Sequence, residues 1–411
     1  VSPVSLRPPD FRRARKYFLE LIWCFLYDFD LIPTGPDDTN LLKEDELMKF
    51  ECLKSDILPN IQQAQNIVGQ RTTLQILSNL LLETRREELQ ITSTDLEIGL
   101  FSTSKVEVER EGKTTVPARK FFDIIRNLPD DTIHVETDEK NTTHVSCGKS
   151  SYRIFGLPAD DYPSLPEFDE VDSWEFSQSI LKKIIRQTSY SISRDESRYV
   201  LNGIYVIFNS SEITAVATDG RRLSLSSHSG MSFRDSKVDF ILPSKTVIEL
   251  SKLLGDEGDL KVSPKGNQVC FQIGSTTLIT KLIEGNFPEY QAVIPDSSQH
   301  RVVFEKEPFS AALNRMAILT SEKSNSIKLQ FSGNACIISA NSPNVGDARE
   351  EIEVEYEGPE LPIAFNPHYL MDILKCLDTE RVTMELTDSL KPGVIKQGTE
   401  FLAVIMPMRL E

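Results

Sequence analysis

Five histidines (His134, His144, His228, His300 and His368) and adjacent carboxylates such as Asp160-Asp161 and Glu350-Glu351 are the side chains from which acid–base or metal chemistry would have to be built. Their spacing builds neither. No histidine pair has the H-E-x-x-H spacing, no G-x-S-x-G elbow offers an activated serine, and no Walker glycine loop offers a phosphate cradle. Neighbouring carboxylates in an extended segment point to opposite faces, which does not suit a shared metal ion. The six cysteines (Cys24, Cys52, Cys147, Cys270, Cys336 and Cys376) lack C-x-x-C spacing, so neither a zinc site nor a disulfide framework is expected, and a reducing cytoplasm fits best. These patterns argue against an enzyme and imply neither cofactor nor metal.

The chemistry that remains is electrostatic. A net charge of -17 argues against a generally basic surface holding nucleic acid. Yet six stretches of helical periodicity, at 54–71, 119–127, 176–188, 244–253, 304–316 and 366–375, together hold 13 basic and 6 acidic residues. They carry +7 and leave -24 for the rest of the chain, although the last two contribute little to the excess. A basic helix face is ordinarily just a solvated face. Six such helices lining one concave surface would instead draw phosphates while the exterior stayed acidic.

The elements that must position those charges recur. Second helices open after prolines in Val116-Pro117-Ala118-Arg119-Lys120-Phe121, Leu242-Pro243-Ser244-Lys245-Thr246-Val247 and Asn366-Pro367-His368-Tyr369-Leu370-Met371, and the prolines lie 126 and 124 residues apart. Proline suits the first helical turn, where its missing N–H has no partner to lose. First helices align through Ile57, Leu58 and Ile61, then Ile180, Leu181 and Ile184, then Phe309, Leu313 and Met316. Between them lie alternating runs that read as half-buried strands, such as Glu88-Leu89-Gln90-Ile91-Thr92, Glu212-Ile213-Thr214-Ala215-Val216 and Ala335-Cys336-Ile337-Ile338-Ser339. A threefold repeat of about 125 residues exceeds a solenoid period. The expected class is α+β, in three tandem copies of a two-helix, multi-strand domain. No apolar run spans a bilayer, since the longest, Tyr17 to Pro33, is broken by Glu20, Asp28 and Asp30.

Several segments carry a more specific signal: Val116-Pro117-Ala118-Arg119-Lys120-Phe121-Phe122-Asp123, Leu157-Pro158-Ala159-Asp160-Asp161-Tyr162-Pro163, Tyr199-Val200-Leu201-Asn202-Gly203, Ala217-Thr218-Asp219-Gly220-Arg221-Arg222-Leu223, Gly285-Asn286-Phe287-Pro288-Glu289-Tyr290 and Met406-Pro407-Met408-Arg409-Leu410. Alone, Thr-Asp-Gly is only a hairpin turn. In this order and at these separations, from Met48 to Leu410, the chain resembles the bacterial DNA polymerase III β subunits, the replicative sliding clamps. The resemblance implies three clamp domains, at 48–168, 169–298 and 299–411. It also implies a homodimer joined head to tail into a closed ring, with helices lining the hole and continuous sheets forming the outer wall. Such a ring encircles duplex DNA without reading its sequence, because exchangeable phosphate contacts permit sliding.

The same resemblance implies where contacts fall. DNA contacts are Arg71, Arg119 and the loop with Arg194, Arg198 and Tyr199, where Val200 replaces a second aromatic. Tyr199 as a strand aromatic and Arg198 paired with Glu196 are the competing readings. A pocket between the second and third domains, taking short peptides from the polymerase III catalytic subunit, the clamp loader, other DNA polymerases and repair proteins, comprises Leu201, Thr218, Gly220, Arg221, Arg222, Leu223, Pro288, Val293, Leu390, Pro392, Val404, Met406, Pro407, Met408 and Arg409. Methionine side chains reshape readily to such ligands, whereas ordinary packing of a terminal strand is the plainer reading of Met406 and Met408. Subunit contacts are Tyr152 and Ile154 on one side and Ile318 and Leu319 on the other, with core packing as their alternative. The rival function is a clamp-fold scaffold that binds peptides and never encircles DNA. Residues 1–47 fall outside the resemblance. Arg12-Arg13-Ala14-Arg15-Lys16 and the apolar stretch after it lack a cleavage site, and the reading preferred here is an over-extended gene start before Met48, against a genuine extension.

Overall fold

The structure, a computed structural model, describes residues 47–69, 74–166, 168, 173–231, 233, 237–320 and 325–409. Arg71, Glu411 and the segment before residue 47 lie outside the described residues. Each repeat runs strand, helix, three strands, a strand leading into the second helix, that helix and three strands, and the first and third repeats add one short strand, Glu107–Arg110 and Glu355–Tyr356, before the second helix. The six α-helices among the described residues are α1 (Lys54–Ile67), α2 (Ala118–Asn127), α3 (Gln178–Thr188), α4 (Ser244–Leu253), α5 (Lys306–Ala317) and α6 (Pro367–Cys376). None is long and apolar enough to cross a membrane.

Apolar spacing explains which face each helix buries. Ile57, Ile61, Ala64 and Ile67 form one buried stripe on α1, Leu181, Ile184, Ile185 and Thr188 one on α3, and Phe309, Ala312, Leu313 and Met316 one on α5. The prolines sit one step earlier than expected in two repeats. Pro117 and Pro243 end a strand and stand at the N-cap, whereas Pro367 alone occupies the first turn, after Asn366, whose side chain accepts from the His368 N–H at 2.9 Å. Either position spares proline a lost helical hydrogen bond. The helices touch in the succession α2–α1–α4–α3–α6–α5, so contacts run through all three repeats.

Among the described residues four antiparallel sheets back these helices, and two of them cross from one repeat to the next. At the first seam, Thr276–Lys281 pairs with Ile98–Lys105, with Ile279 opposite Gly99. At the second, Arg222–Ser229 pairs with Phe401–Ile405, with Leu223 opposite Val404. The remaining sheets, of five and four strands, end on Ser150–Phe155 and Gly346–Glu353. Those two edge strands occupy the repeat positions that elsewhere make the seams.

Candidate functional site

The second seam is organised by the turn from Thr218 to Arg222. Thr218 Oγ1 donates to the Arg222 carbonyl at 2.7 Å and accepts from the Gly220 N–H at 3.1 Å, while Asp219 Oδ1 accepts from the N–H groups of Arg221 and Arg222 at 2.8 and 3.0 Å. Gly220 has φ +82°, the left-handed region that favours glycine, and a Cβ there would lie 2.8 Å from Arg198 Nη1. The chain end is tied to this turn. The Met406 N–H bonds the Arg221 carbonyl at 2.9 Å, and the Met408 N–H bonds that of Ala364 at 2.7 Å.

Period-two alternation along the seam strands sorts their side chains. Ala403 and Ile405 join the third repeat's core, so Val404 faces the other side of the sheet, where it meets Leu223 and Val216. Leu225, Phe287, Tyr290, Ile294 and Leu402 pack on that cluster. Leu201, Leu223 and Val404 are buried. Val293, Leu390 and Met406 are exposed by 47%, 80% and 41%, Pro288, Arg221 and Arg409 are exposed, and Pro392, Pro407 and Met408 are half-buried. Pro392 precedes Gly393, which pairs with Ile405, and this brings it beside Met406. The arrangement is a small buried apolar patch with exposed apolar and methionine side chains beside it, the composition of a peptide-binding surface.

Arg222 differs from what its residue type suggested. Its guanidinium holds Asp219 at 3.1 Å, Asp372 of α6 at 2.7 Å and the Tyr190 carbonyl at 2.5 Å, and lies 4.4 Å from the Tyr369 ring centre and 5.3 Å from that of Tyr190. With its side chain 10% exposed, it clasps the second repeat to the third. Burial pushes the Tyr190 phenol well above its ordinary value. Tyr190, Tyr369 and Asp372 were absent from the sequence-derived set because each is unremarkable locally and acquires its role through Arg222.

The loop at Arg194 takes neither competing form. Glu196–Leu201 is a 3-10 turn, so Tyr199 is no strand aromatic, and it stands 59% exposed beside Gly285. Arg198 pairs with Asp195 at 3.0 Å and donates to the Asp219 carbonyl at 3.3 Å, rather than pairing with Glu196. Hydrogen bonds from Ser197 and Arg198 hold the Asp195 carboxyl below its usual value. Arg119 and Arg194 are exposed.

Most of the remaining helix cations are engaged by acids outside the six windows counted above. Lys182 meets Asp256 at 2.8 Å, Lys183 meets Glu400 at 2.7 Å, Arg186 meets Asp378 at 2.7 Å, Lys245 pairs with Asp95, and Arg315 pairs with Glu350. The +7 read from the helices is therefore partly neutralised in place. Such exposed pairs contribute only about 0–1 kcal/mol each, so a phosphate competes for the cation at little cost. Between α3 and the turn before Phe401, a cavity of about 300 Å³ is lined by Lys183, Gln187, Gln397, Glu400 and Phe401, and it includes none of the fifteen residues read as the peptide pocket.

At the edges, Tyr152 and Phe155 are 39% and 69% exposed while Ile154 is buried in the core at 7%. Ile318, at the C-cap of α5, is 79% exposed and so is not part of that helix's buried face. Leu319 packs partly against the third repeat's core. No group of three metal-ligating side chains occurs among the described residues. Burial pushes the thiols of Cys52, Cys336 and Cys376 up to about 12 and that of Cys270 to about 11, which keeps them protonated and poor nucleophiles.

Comparison with known proteins accounts for the repeat. Residues 48–166 match the N-terminal domain of the DNA polymerase III beta subunit, residues 175–289 its central domain and residues 291–409 its C-terminal domain. The beta sliding clamp of Escherichia coli is 36% identical over 368 residues, covering 88% of this chain and 100% of its own, and that of Chlamydia muridarum is 33% identical over 363 residues, covering 88% and 99%. The crystal structure of the Pseudomonas aeruginosa DnaN sliding clamp bound to griselimycin, 34% identical, superposes with a TM-score of 0.85 over 88% of this chain and 100% of that one. The chain belongs to the DNA polymerase III beta subunit family, the bacterial sliding clamps.

Proposed function

We propose that this chain is a replicative sliding clamp: two copies close head to tail round duplex DNA and hold the polymerase and other proteins on it. The observation that carries the closure is the pair of edge strands left without a seam. Ser150–Phe155 is the last strand of its repeat, as Thr276–Lys281 and Phe401–Ile405 are of theirs, and Gly346–Glu353 corresponds to Ile98–Lys105 and Arg222–Ser229. Joining the five- and four-stranded sheets of two subunits reproduces the geometry of both internal seams. An unpaired edge is a template for another strand. Charge favours the match, with Arg153 and the adjoining turn residue Lys149 on one edge and Asp347, Glu351 and Glu353 outnumbering Arg349 on the other. Tyr152 then meets Ile318 and Leu319 of the second subunit, while Ile154, buried in its own core, supports that edge from within, with subunit domains at 48–168, 169–298 and 299–411.

The hole is lined by the six helices. Arg71, Arg119, Arg194, Arg198 and Tyr199 contact phosphates without reading bases, which permits sliding. The protein is a non-catalytic processivity factor that acts in the cytoplasm. The second-seam surface takes short peptides from the polymerase III catalytic subunit, the clamp loader, other DNA polymerases and repair proteins. The test is retention on nicked circular DNA after loading, with light scattering for the oligomeric state. A dimer that stays on circles and is lost after linearisation is expected. A stable monomer at micromolar concentration, or equal loss from circles and linear DNA, overturns closure and leaves the scaffold reading.

A further inference from the structure

The repeat builds the peptide-site turn twice. At the first seam Thr94 Oγ1 donates to the Ile98 carbonyl at 2.8 Å and accepts from the Leu96 N–H at 3.0 Å, as Thr218 does for Arg222 and Gly220. Asp95 Oδ1 accepts from the N–H groups of Glu97 and Ile98 at 3.0 and 2.8 Å, as Asp219 does. The Lys281 N–H bonds the Glu97 carbonyl at 2.9 Å, where Met406 bonds Arg221, and the Ile283 N–H bonds that of Ile241 at 3.0 Å, where Met408 bonds Ala364. The floor differs. Gly99 stands at the register position of Leu223, and a Cβ on Gly99 would lie 2.4 Å from Leu165 Cδ2 and 3.0 Å from Cδ1. Leu165 is therefore seated against the strand backbone where the other seam presents its own leucine. It follows Tyr162, which anchors this segment with its hydroxyl 3.2 Å from the Thr94 N–H and 3.3 Å from the Asn79 carbonyl.

We infer that the first seam is a second copy of the peptide groove, built for the same short apolar segments and held shut in cis by Leu165, so that each subunit offers one partner site instead of two. Glycine at position 99 is what admits the plug. A tethered side chain competes at an effective concentration near millimolar, far above that of a free peptide at micromolar levels. The inference rests on the peptide-site reading of the second seam, and the experiment separates the two.

Native mass spectrometry and isothermal titration count the polymerase-tail peptides bound per full-length chain in the wild type, Leu165→Ala and Gly99→Ala, each with and without residues 406–411. The Gly99→Ala methyl occupies the space of the Leu165 methyls and expels them without truncating the plug, so it covers the case in which Leu165→Ala fails to fold. One peptide is expected for the wild type and two for each variant. After the deletion, none is expected for the wild type and one for each variant. A folded variant that still binds one peptide overturns the inference and leaves the second-seam site intact, whereas a wild type that binds none overturns the peptide-site reading and the inference with it.

Discussion

The two seams use the same strands of the repeat in the same register, yet their side chains do opposite things. At the first, Ile98 is buried at 2%, Asp95 reaches Lys245 of α4, the hydroxyls of Thr246 and Thr280 lie 2.6 Å apart, and Leu165 covers Gly99. At the second, Arg222 takes the place of Ile98 and grips Asp219, Asp372 and the Tyr190 carbonyl between two tyrosine rings, while Met406 and Val293 stay exposed. Backbone geometry is thus shared, and a handful of side chains decides which copy leaves apolar side chains exposed. One seam is a joint. The other is a joint with exposed apolar side chains beside it, the surface proposed to take peptides.

The largest expected difference lies in the chain end. Deleting Met406 to Glu411 removes two methionines and a proline but leaves Phe401–Ile405 paired with Arg222–Ser229. Buried hot-spot residues contribute about 2 kcal/mol or more each, so peptide affinity should fall by roughly 100-fold or more in fluorescence anisotropy. Retention on circular DNA and the melting temperature should change little. Loss of both peptide binding and retention would mean that the end is structural and the second seam is only a joint.

The clasp comes next. Arg222→Ala leaves the Asp219 and Asp372 carboxylates without their cation, and because both keep some solvent contact the cost should be roughly 2 kcal/mol, below the 3–5 kcal/mol of a fully buried pair. Urea denaturation measures it. An unchanged midpoint would show that the guanidinium serves the peptide alone. Ile98→Val at the matching position of the first seam should cost about 1 kcal/mol, the usual loss of one buried methylene, and should leave peptide affinity unchanged.

The smallest effect is electrostatic. A hydrogen bond from Lys183 holds the Glu400 carboxyl below its ordinary value, so the folded chain binds that proton less readily than the unfolded one. The stabilisation is present above the ordinary glutamate value near 4.3 and is lost as pH falls through the depressed one. Both side chains are more than a third exposed, which limits the effect to a fraction of a kcal/mol. Lys183→Ala should therefore lower stability slightly at neutral pH and match the wild type in strong acid. A gap that persisted at low pH would assign the loss to packing.

How much of this was legible along the chain varies with the range of the interaction. The helices α1 to α6 fall within a few residues of the windows at 54–71, 119–127, 176–188, 244–253, 304–316 and 366–375, because helical burial follows from spacing within a few turns of one segment. The Thr-Asp-Gly turn was also readable, since its hydrogen bonds close within five residues and Gly220 needs a left-handed backbone. Arg222 was read as one wall of a pocket, and its engagement with Asp372, 150 residues away, was not.

By itself the sequence determined the α+β class, the threefold repeat, the helices and the segments that mark the family, all of which depend on local periodicity or on short motifs. Tertiary structure alone decided that Lys183 meets Glu400, that Lys245 meets Asp95, that Arg222 becomes a clasp and that Leu165 lies on Gly99. The first three join segments of different repeats, whose proximity is set by the register of a sheet crossing from one repeat to the next, whereas Leu165 is brought to Gly99 by the Tyr162 anchor within the first repeat. A one-residue slip in that register would exchange the faces of every seam side chain, so no reading of a single segment contains the answer.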